Sequence, residues 1–406
     1  MATVVWQGDE AAVKQIATCQ VTAFDAATTY TLTVTGEDGN TFAVNTTGSV
    51  DVNTTATNIS TDWNNAASPY CRRVTATVAT DTVTLTADVA GQPFTIASTK
   101  SSGTGTIGAV TDTTTSSGPN DAALAGNYDG DALPGATDVL IVPAGTPAIL
   151  YNLDEFSGDN INGFRVEDGY SGAIGGTDGA YFQIGLDTDD FYFAGTGVAY
   201  IDVGVSSINP VVANTAVAGT GSYGLYFKGS AITNFYLKKG QVGFGVDAND
   251  AASRCDVFHV SYLTQQASDA KLTIGENTLA VAGGAAWPDV TMYGGTCVSK
   301  TKTDAVVTHA GDYTQDTSVW VTATAYNDAV LRANGVTTYE TTNLHATAHL
   351  RDEKTLGDKN FTLINVYSDD ITIEDPIGHV EKFVQNGCGI PKNLNIGFDR
   401  TVVITP

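Results

Sequence analysis

From residue 139 onward the chain repeats one kind of unit. Short apolar segments of four to six residues are set apart by Gly, Asn and Asp turns, and no helical period interrupts them. Examples are Val139-Leu140-Ile141-Val142, Tyr181-Phe182-Gln183-Ile184, Ala199-Tyr200-Ile201-Asp202-Val203, Gly224-Leu225-Tyr226-Phe227 and Asn234-Phe235-Tyr236-Leu237. The series continues through Asp256-Val257-Phe258-His259-Val260, Lys271-Leu272-Thr273-Ile274, Val290-Thr291-Met292-Tyr293, Ala305-Val306-Val307-Thr308, Val319-Trp320-Val321 and Ala329-Val330-Leu331. Strands this short, at intervals of roughly 10 to 15 residues, suit a sandwich, a propeller or a solenoid. The irregular repeat and the lack of a blade signature favour a right-handed parallel β-helix over residues 121–344, with a large β-sandwich as the alternative. Residues 248–254 and 282–289 read as insertions at its corners. The tail, residues 345–406, has longer strands at 360–367 and 401–404 and is expected to cap the last coil, which would otherwise expose a strand edge.

The first 97 residues have a different texture. Thr29-Tyr30-Thr31-Leu32-Thr33-Val34-Thr35 alternates polar and apolar side chains, as a half-buried strand does. Glu37-Asp38-Gly39-Asn40 supplies a hairpin turn, and Thr41-Phe42-Ala43-Val44 returns. Ala56, Ile59 and Trp63 then fall at helical spacing, with Thr54 and Thr55 as N-cap candidates and Pro69 beyond the end. A second hairpin, residues 73–78 and 82–87, turns at Asp81, and residues 92–96 add a strand. These elements predict a small α+β module, one helix on a sheet. Residues 98–120 are almost entirely Ser, Thr and Gly and read as a linker.

Charge narrows the partners. Asp and Glu total 44 against 19 Lys and Arg, a formal net charge of -25. Phosphate contacts need clustered basic residues, so no nucleic-acid partner is expected. No apolar run is long enough to cross a bilayer, so no membrane partner is expected either. Met1 to Glu10 reads MATVVWQGDE, with no basic start and no long apolar run, which predicts synthesis and folding in a cytosol. Cys19, Cys71, Cys255, Cys297 and Cys388 are odd in number, far apart and without a CxxC pair, so buried free thiols are expected rather than a disulfide framework or a structural zinc site.

The opening Val5-Trp6-Gln7-Gly8-Asp9, the two Thr-rich hairpins, the Trp-containing helix and the closing Thr84-Leu85-Thr86-Ala87-Asp88-Val89-Ala90-Gly91-Gln92-Pro93-Phe94-Thr95 resemble an N-terminal module of tailed-bacteriophage virion proteins. In that family a Thr-Gly linker precedes a Gly-Pro-Asn-Asp element, here Gly118 to Asp121, then a Leu-Pro turn, here Leu133-Pro134, and a β-helix-like region. The resemblance covers roughly the first third of the chain and implies a virion structural component.

The chemical motifs are weak. Gly103-Thr104-Gly105-Thr106-Ile107-Gly108 matches GxGxxG, but a pyrophosphate site needs a strand before it and a helix after it, and no helical pattern follows. Asp187, Asp189 and Asp190 form the densest acidic cluster, and paired carboxylates could hydrolyse a glycosidic bond or hold Ca²⁺. An EF-hand pattern fails there because Phe191 takes the fifth position, and fails at Asp247-Ala248-Asn249-Asp250 because Ala251 does; solvated turns are the simpler reading of both. His345 and His349 would share one strand face, too far apart to chelate a metal well, and there is no HExxH helix. Neither GxSxG nor a Cys-His signature is present. Lys238-Lys239 and Arg72-Arg73 read as rim charges at subunit contacts. Catalytic, cofactor-binding and metal residues are therefore none, and neither an enzyme nor a cofactor is expected.

In Phe191-Tyr192-Phe193, residues 223–227 and Phe235-Tyr236, alternation lets only one set of rings point inward; the other is exposed or buried by another subunit. The expectation is a homotrimeric virion protein, assembled in the host cytoplasm and bound to the major capsid protein or other virion proteins. A capsid-exterior decoration or cement protein comes first, a tailspike or fibre that binds and perhaps cleaves host glycans second, and a bacterial surface adhesin third. An acidic shell protein would be repelled by packaged DNA, which favours an outward position.

Overall fold

The computed structural model describes residues 2–176, 180–204, 208, 210–212, 223–246, 253–261, 270–275, 278, 287–316, 318–334, 339–352, 361–368, 370–375, 383–385 and 393–396. The fold is mainly β, with a parallel β-helix body. Val139–Val142, Phe156–Val166 and Phe182–Phe193 pair in sequence; from Ala199–Asp202 on, the strands alternate between two parallel faces and each pairs with the strand two further along the chain. One face carries mostly six-residue strands, among them Ile232–Leu237, Cys255–Val260, Thr303–Thr308, Trp320–Ala325, Tyr339–Leu344 and Phe361–Val366. The other carries four-residue strands such as Leu225–Lys228, Gln241–Phe244, Lys271–Ile274, Thr296–Ser299, Asp312–Gln315 and Val330–Ala333.

Register is in line from coil to coil. Thr303 pairs with Trp320, 17 residues on; Thr322 with Thr341, 19 on; Tyr339 with Phe361, 22 on. The six-residue strands bury their first, fourth and sixth side chains; the four-residue strands from Lys271–Ile274 to Val330–Ala333 bury their second and fourth, and Leu225–Lys228 its first and third. Like therefore sits on like inside: Phe235 on Phe258, Leu237 on Val260, Leu331 on Leu350 on Ile373. An aromatic spine runs up the lower coils from Trp6 through Tyr128, Phe156, Phe182, Phe164, Phe191, Phe227 and Phe235 to Phe258, with ring centroids 5.2 to 6.2 Å apart. Higher up, the strand Trp320–Ala325 turns the small Ala323 and Ala325 inward, and the volume is filled by Trp320 and Tyr339 of the same face together with Tyr313 of the four-residue face. The Trp320 indole donates to Thr342 Oγ1 at 3.1 Å, and Tyr313 donates to Gln315 Oε1 at 2.8 Å, so the polar atoms brought inside are bonded there.

The N-terminus belongs to this body. Thr3–Val5 pairs parallel with Val139–Val142 as its first rung, and Trp6 is fully buried, donating to the Pro147 carbonyl at 2.9 Å. The chain turns out at Gly8, whose φ is +65° and where a β-carbon would meet the Pro119 carbonyl and the Pro147 ring. Between this exit and the return at Ser117, which bridges to Val13, stands the module. Its strands are Ile16–Ala23, Thr29–Thr35, Thr41–Thr47, Val74–Ala79, Thr82–Ala87 and Thr95–Lys100, with the helix Val52–Asn65 burying Ala56, Ile59 and Trp63 against them.

Several expectations change. The helix is capped by Asp51, which accepts from the Thr54 N–H at 2.7 Å; Thr54 and Thr55 lie inside the first turn. The Ser/Thr/Gly stretch 98–120 contributes to the module's sheets: Thr106–Ile107 and Thr111–Thr114 both pair antiparallel with Ile16–Ala23. Past residue 344 the described strands continue the coils instead of capping them, since His349–Asp352 pairs with Val330–Ala333 and Phe361–Val366 with Tyr339–Leu344. Residues 401–404 and most of both corner insertions lie outside the described residues. Cys19, Cys71, Cys255 and Cys297 are buried free thiols.

The packing predicts where stability is concentrated. Trp320→Ala opens a cavity among Tyr313, Tyr339 and Phe361 and leaves Thr342 without its donor; a loss of about 3–5 kcal/mol is expected in denaturant unfolding. Asp51→Ala should cost only about 1 kcal/mol, confined to the module.

Candidate functional site

The acidic cluster does not stand as a free pair of carboxylates at Asp190. That residue forms a two-pronged ion pair with Arg165, with Nη2 to Oδ1 at 2.8 Å and Nε to Oδ2 at 3.1 Å, across adjacent rungs. Asp187 and Asp189 share its strand, Phe182–Phe193, but their side chains lie outside the described part, as do residues 247–250. His345 and His349 are not on one face: the turn at Ala346, with φ of +52°, falls between them and sends His349 to the four-residue face. Residues 103–108 run into a sheet strand with no helix after it, and Gly105 packs against the Tyr30 hydroxyl. Lys238 holds its ammonium 5.9 Å from the Tyr192 ring centre, and Arg72 and Arg73 lie in the 3₁₀ turn Cys71–Arg73. No group of three or more His, Cys, Asp or Glu side chains able to hold a metal occurs among the described residues.

The alternation of aromatics is as the sequence predicts. Phe191, Phe193, Phe227 and Phe235 point inward, while Tyr192, Tyr226 and Tyr236 point outward. The outward rings are not isolated. Tyr200 stacks on Tyr226 at 4.3 Å, with Tyr181 and Tyr223 edge-on to them, and Lys228 lies 4.1 Å over the Tyr181 ring while pairing with Asp202. Tyr236 stacks on His259 at 4.6 Å.

The largest outward feature escaped sequence reading. Tyr293, His309, Tyr326, His345 and Tyr367 each follow directly after a strand of the six-residue face, and in-line register stacks all five. Successive centroids are 5.1, 5.4, 4.7 and 4.2 Å apart and planes are within 19° of parallel. Burial within the stack lowers the pKa of His345. The signal was available as a ring one residue past each apolar strand, but it becomes visible only once rungs are aligned by their buried positions. Beside this ridge run two further outward ladders in register: Ala305, Thr322, Thr341 and Leu363, and Val307, Thr324, Asn343 and Asn365. Asn365 donates to Asn343 at 2.9 Å and Asn343 to Thr324 at 3.2 Å, which fixes the second ladder. No residue of these two ladders bears a formal charge.

A cleft of about 390 Å³ lies where the module's first hairpin meets the body, lined by Gly36, Glu37, Asp38, Asn152, Asp154 and Gln183. Glu37 accepts from the Asn152 N–H at 3.1 Å. Its side chain is exposed overall, yet its carboxyl is pushed up to about 7, chiefly by desolvation. The Asn152 N–H opposes the shift, Asp121 and Asp154 add to it, and Arg73 counters it weakly. This arrangement can report pH through the attachment of module to body, but it presents no nucleophile or acid–base pair aimed at a common point.

Comparison with protein-family models, with curated proteins and with solved structures finds no match for this chain.

Because the folded protein holds the Glu37 proton to higher pH than the unfolded chain does, the contact contributes most below the ordinary glutamate range and weakens as pH rises through about 7. Solvent around the exposed part of the side chain screens the effect and keeps it small. The melting temperature of the wild type should therefore fall more between pH 5 and pH 8 than that of Glu37→Gln, which keeps an acceptor for Asn152. Parallel curves for the two proteins would disprove this role.

Proposed function

We propose that this chain is a structural component of a tailed-bacteriophage virion, a decoration or cement protein on the capsid exterior, and that it works as a homotrimer. The observation that carries the reading is the pairing of a small α+β module with a parallel β-helix, the architecture that the N-terminal resemblance implies. Its action in this reading is adhesive rather than enzymatic. In-register ladders keep the flanks of the body straight and stiff, so a docked copy buries area without ordering loose segments, the entropy that most weakens association. Contacts of about 800 Å² per partner across capsid subunits would then resist the outward pressure of packaged DNA.

The partners in this reading are the major capsid protein and neighbouring virion proteins. An outward position suits a chain of net charge -25, which DNA repels. A second reading, a tail fibre or tailspike that binds host glycans, is favoured by one feature: the Tyr181, Tyr200, Tyr223 and Tyr226 cluster beside Lys228, whose rings and charge are of the kind that hold sugars.

Copy number in purified particles separates the two. On the order of hundreds of copies is expected for a head protein, against about six to eighteen for a tail protein. Particles that lack the chain should release DNA at lower temperature and recover when the purified protein is added back. Tail-like copy number with glycan binding by the purified protein would remove the capsid reading in favour of the second.

A further inference from the structure

We propose that the cleft between the module's first hairpin and the body binds a neutral saccharide residue. The inference does not rest on the virion reading above, whose second form places sugars at the Tyr181–Tyr226 cluster instead. The cleft draws on both parts of the fold: Thr35, Glu37 and Asp38 come from the hairpin, and Asn152, Asp154 and Gln183 from the body. Several of these groups are held in place beforehand. Asp38 accepts from the Tyr70 hydroxyl at 2.6 Å and from Asn40 Nδ2 at 2.8 Å, Glu37 accepts from the Asn152 N–H, and the Asn152 side-chain amide donates to Asp121 at 2.7 Å. Asp154 and Gln183, by contrast, are exposed, and their side chains have no hydrogen-bond partner in the protein among the described residues. A narrower recess shares Thr35, Gly36 and Glu37 with the cleft and is walled by Tyr70, Phe94 and Tyr151. Aromatic rings thus lie next to convergent polar groups at a boundary between two parts of the fold, the setting in which small-molecule sites form.

The chemistry of the lining decides which occupant fits. An anion meets the carboxyl groups of Glu37, Asp38 and Asp154 and is repelled. An apolar molecule finds a single apolar side chain, Leu153. A bare metal ion lacks a donor set, since no group of His, Cys, Asp and Glu able to hold one occurs among the described residues. An ammonium or guanidinium carries only donors and leaves the Gln183 amide N–H groups unmatched. The ligand that suits the whole lining both donates and accepts. Carboxylates and amide carbonyls accept from it, while the Gln183 amide and the Thr35 and Thr95 hydroxyls donate to it. Sugar hydroxyls do both. Glu37 matches them further: with its carboxyl pushed up to about 7 it is present in both forms near neutral pH, so it can donate as well as accept. The volume, about 390 Å³, falls within the range of about 300–1,000 Å³ for small-ligand sites.

The test is titration of the purified full chain with D-glucose, D-galactose, D-mannose, L-rhamnose and N-acetyl-D-glucosamine, followed by saturation-transfer NMR at pH 7. At least one sugar should bind saturably in the millimolar range. Gln183→Ala and Asp154→Asn should each weaken that binding at least tenfold with unchanged circular dichroism, while Asp328→Asn, an exposed carboxylate elsewhere on the body, should leave it unaltered. Should the cleft variants misfold, hydrogen exchange on the wild type replaces them: the bound sugar should slow exchange at residues 36–39 and 152–154, and unchanged exchange there counts against the site. Tyr226→Ala separates this proposal from the glycan reading above. Binding lost in Tyr226→Ala but kept in both cleft variants would overturn the cleft and leave that reading standing. Binding by none of the sugars, or by methylammonium in their place, would overturn the proposal whatever the place of the chain in a virion.

Discussion

In-line parallel pairing between successive coils is the constraint on which the rest of this structure depends. A parallel ladder places each residue beside its counterpart one coil away, at the strand spacing of about 4.8 Å. A side chain's nearest neighbours are therefore set by register rather than by sequence distance. Inside, this forces a match of volumes between the two faces. Where the six-residue face supplies Phe235 and Phe258, the four-residue face adds Phe244; where it supplies Ala323 and Ala325, the bulk comes from Trp320 of the same strand and from Tyr313 of the four-residue face. Outside, the same rule turns single residues into ladders.

The ring ridge follows from that rule. Ladder spacing brings flat rings within stacking distance without any special geometry, and each such contact adds about 0.5–1.5 kcal/mol beyond the area it buries. Tyr and His suit the position better than Phe because their faces cover one another while their polar edges meet water. The closest and flattest pair, His345 on Tyr367 at 4.2 Å and 2°, lies on the uppermost of these rungs. Alternation of Tyr and His also separates the two imidazoles, His309 and His345, by Tyr326.

What could be read from the sequence was local, and what could not was long-range. Period-two alternation in Phe191-Tyr192-Phe193 correctly sends the phenylalanines inward, because strand geometry alone fixes it. The helix was legible from Ala56, Ile59 and Trp63, although its cap was not, since Asp51, Thr54 and Thr55 are all competent and only the backbone chooses. Coil register was hidden because the coils vary in length, from 16 residues between Val290 and Val306 to 32 between Val257 and Asp289. The positive φ at Ala346, a residue with no turn preference, hid the corner that separates His345 from His349. Thr111–Thr114 looked like linker because its strand character comes from its partner, Ile16–Ala23, almost a hundred residues earlier.

The acidity of the chain is placed, not merely abundant. Some outward carboxylates on the body are held by cations one rung away: Asp190 by Arg165, Asp202 by Lys228 and Asp312 by Arg332. Such exposed pairs contribute little to stability, typically under about 1 kcal/mol each. Their effect is on the surface potential: they neutralise particular stretches of a face while the molecule as a whole stays strongly negative. In-line register therefore sets the outward charge pattern as well as the core: a carboxylate is neutralised where the neighbouring rung brings a cation beside it.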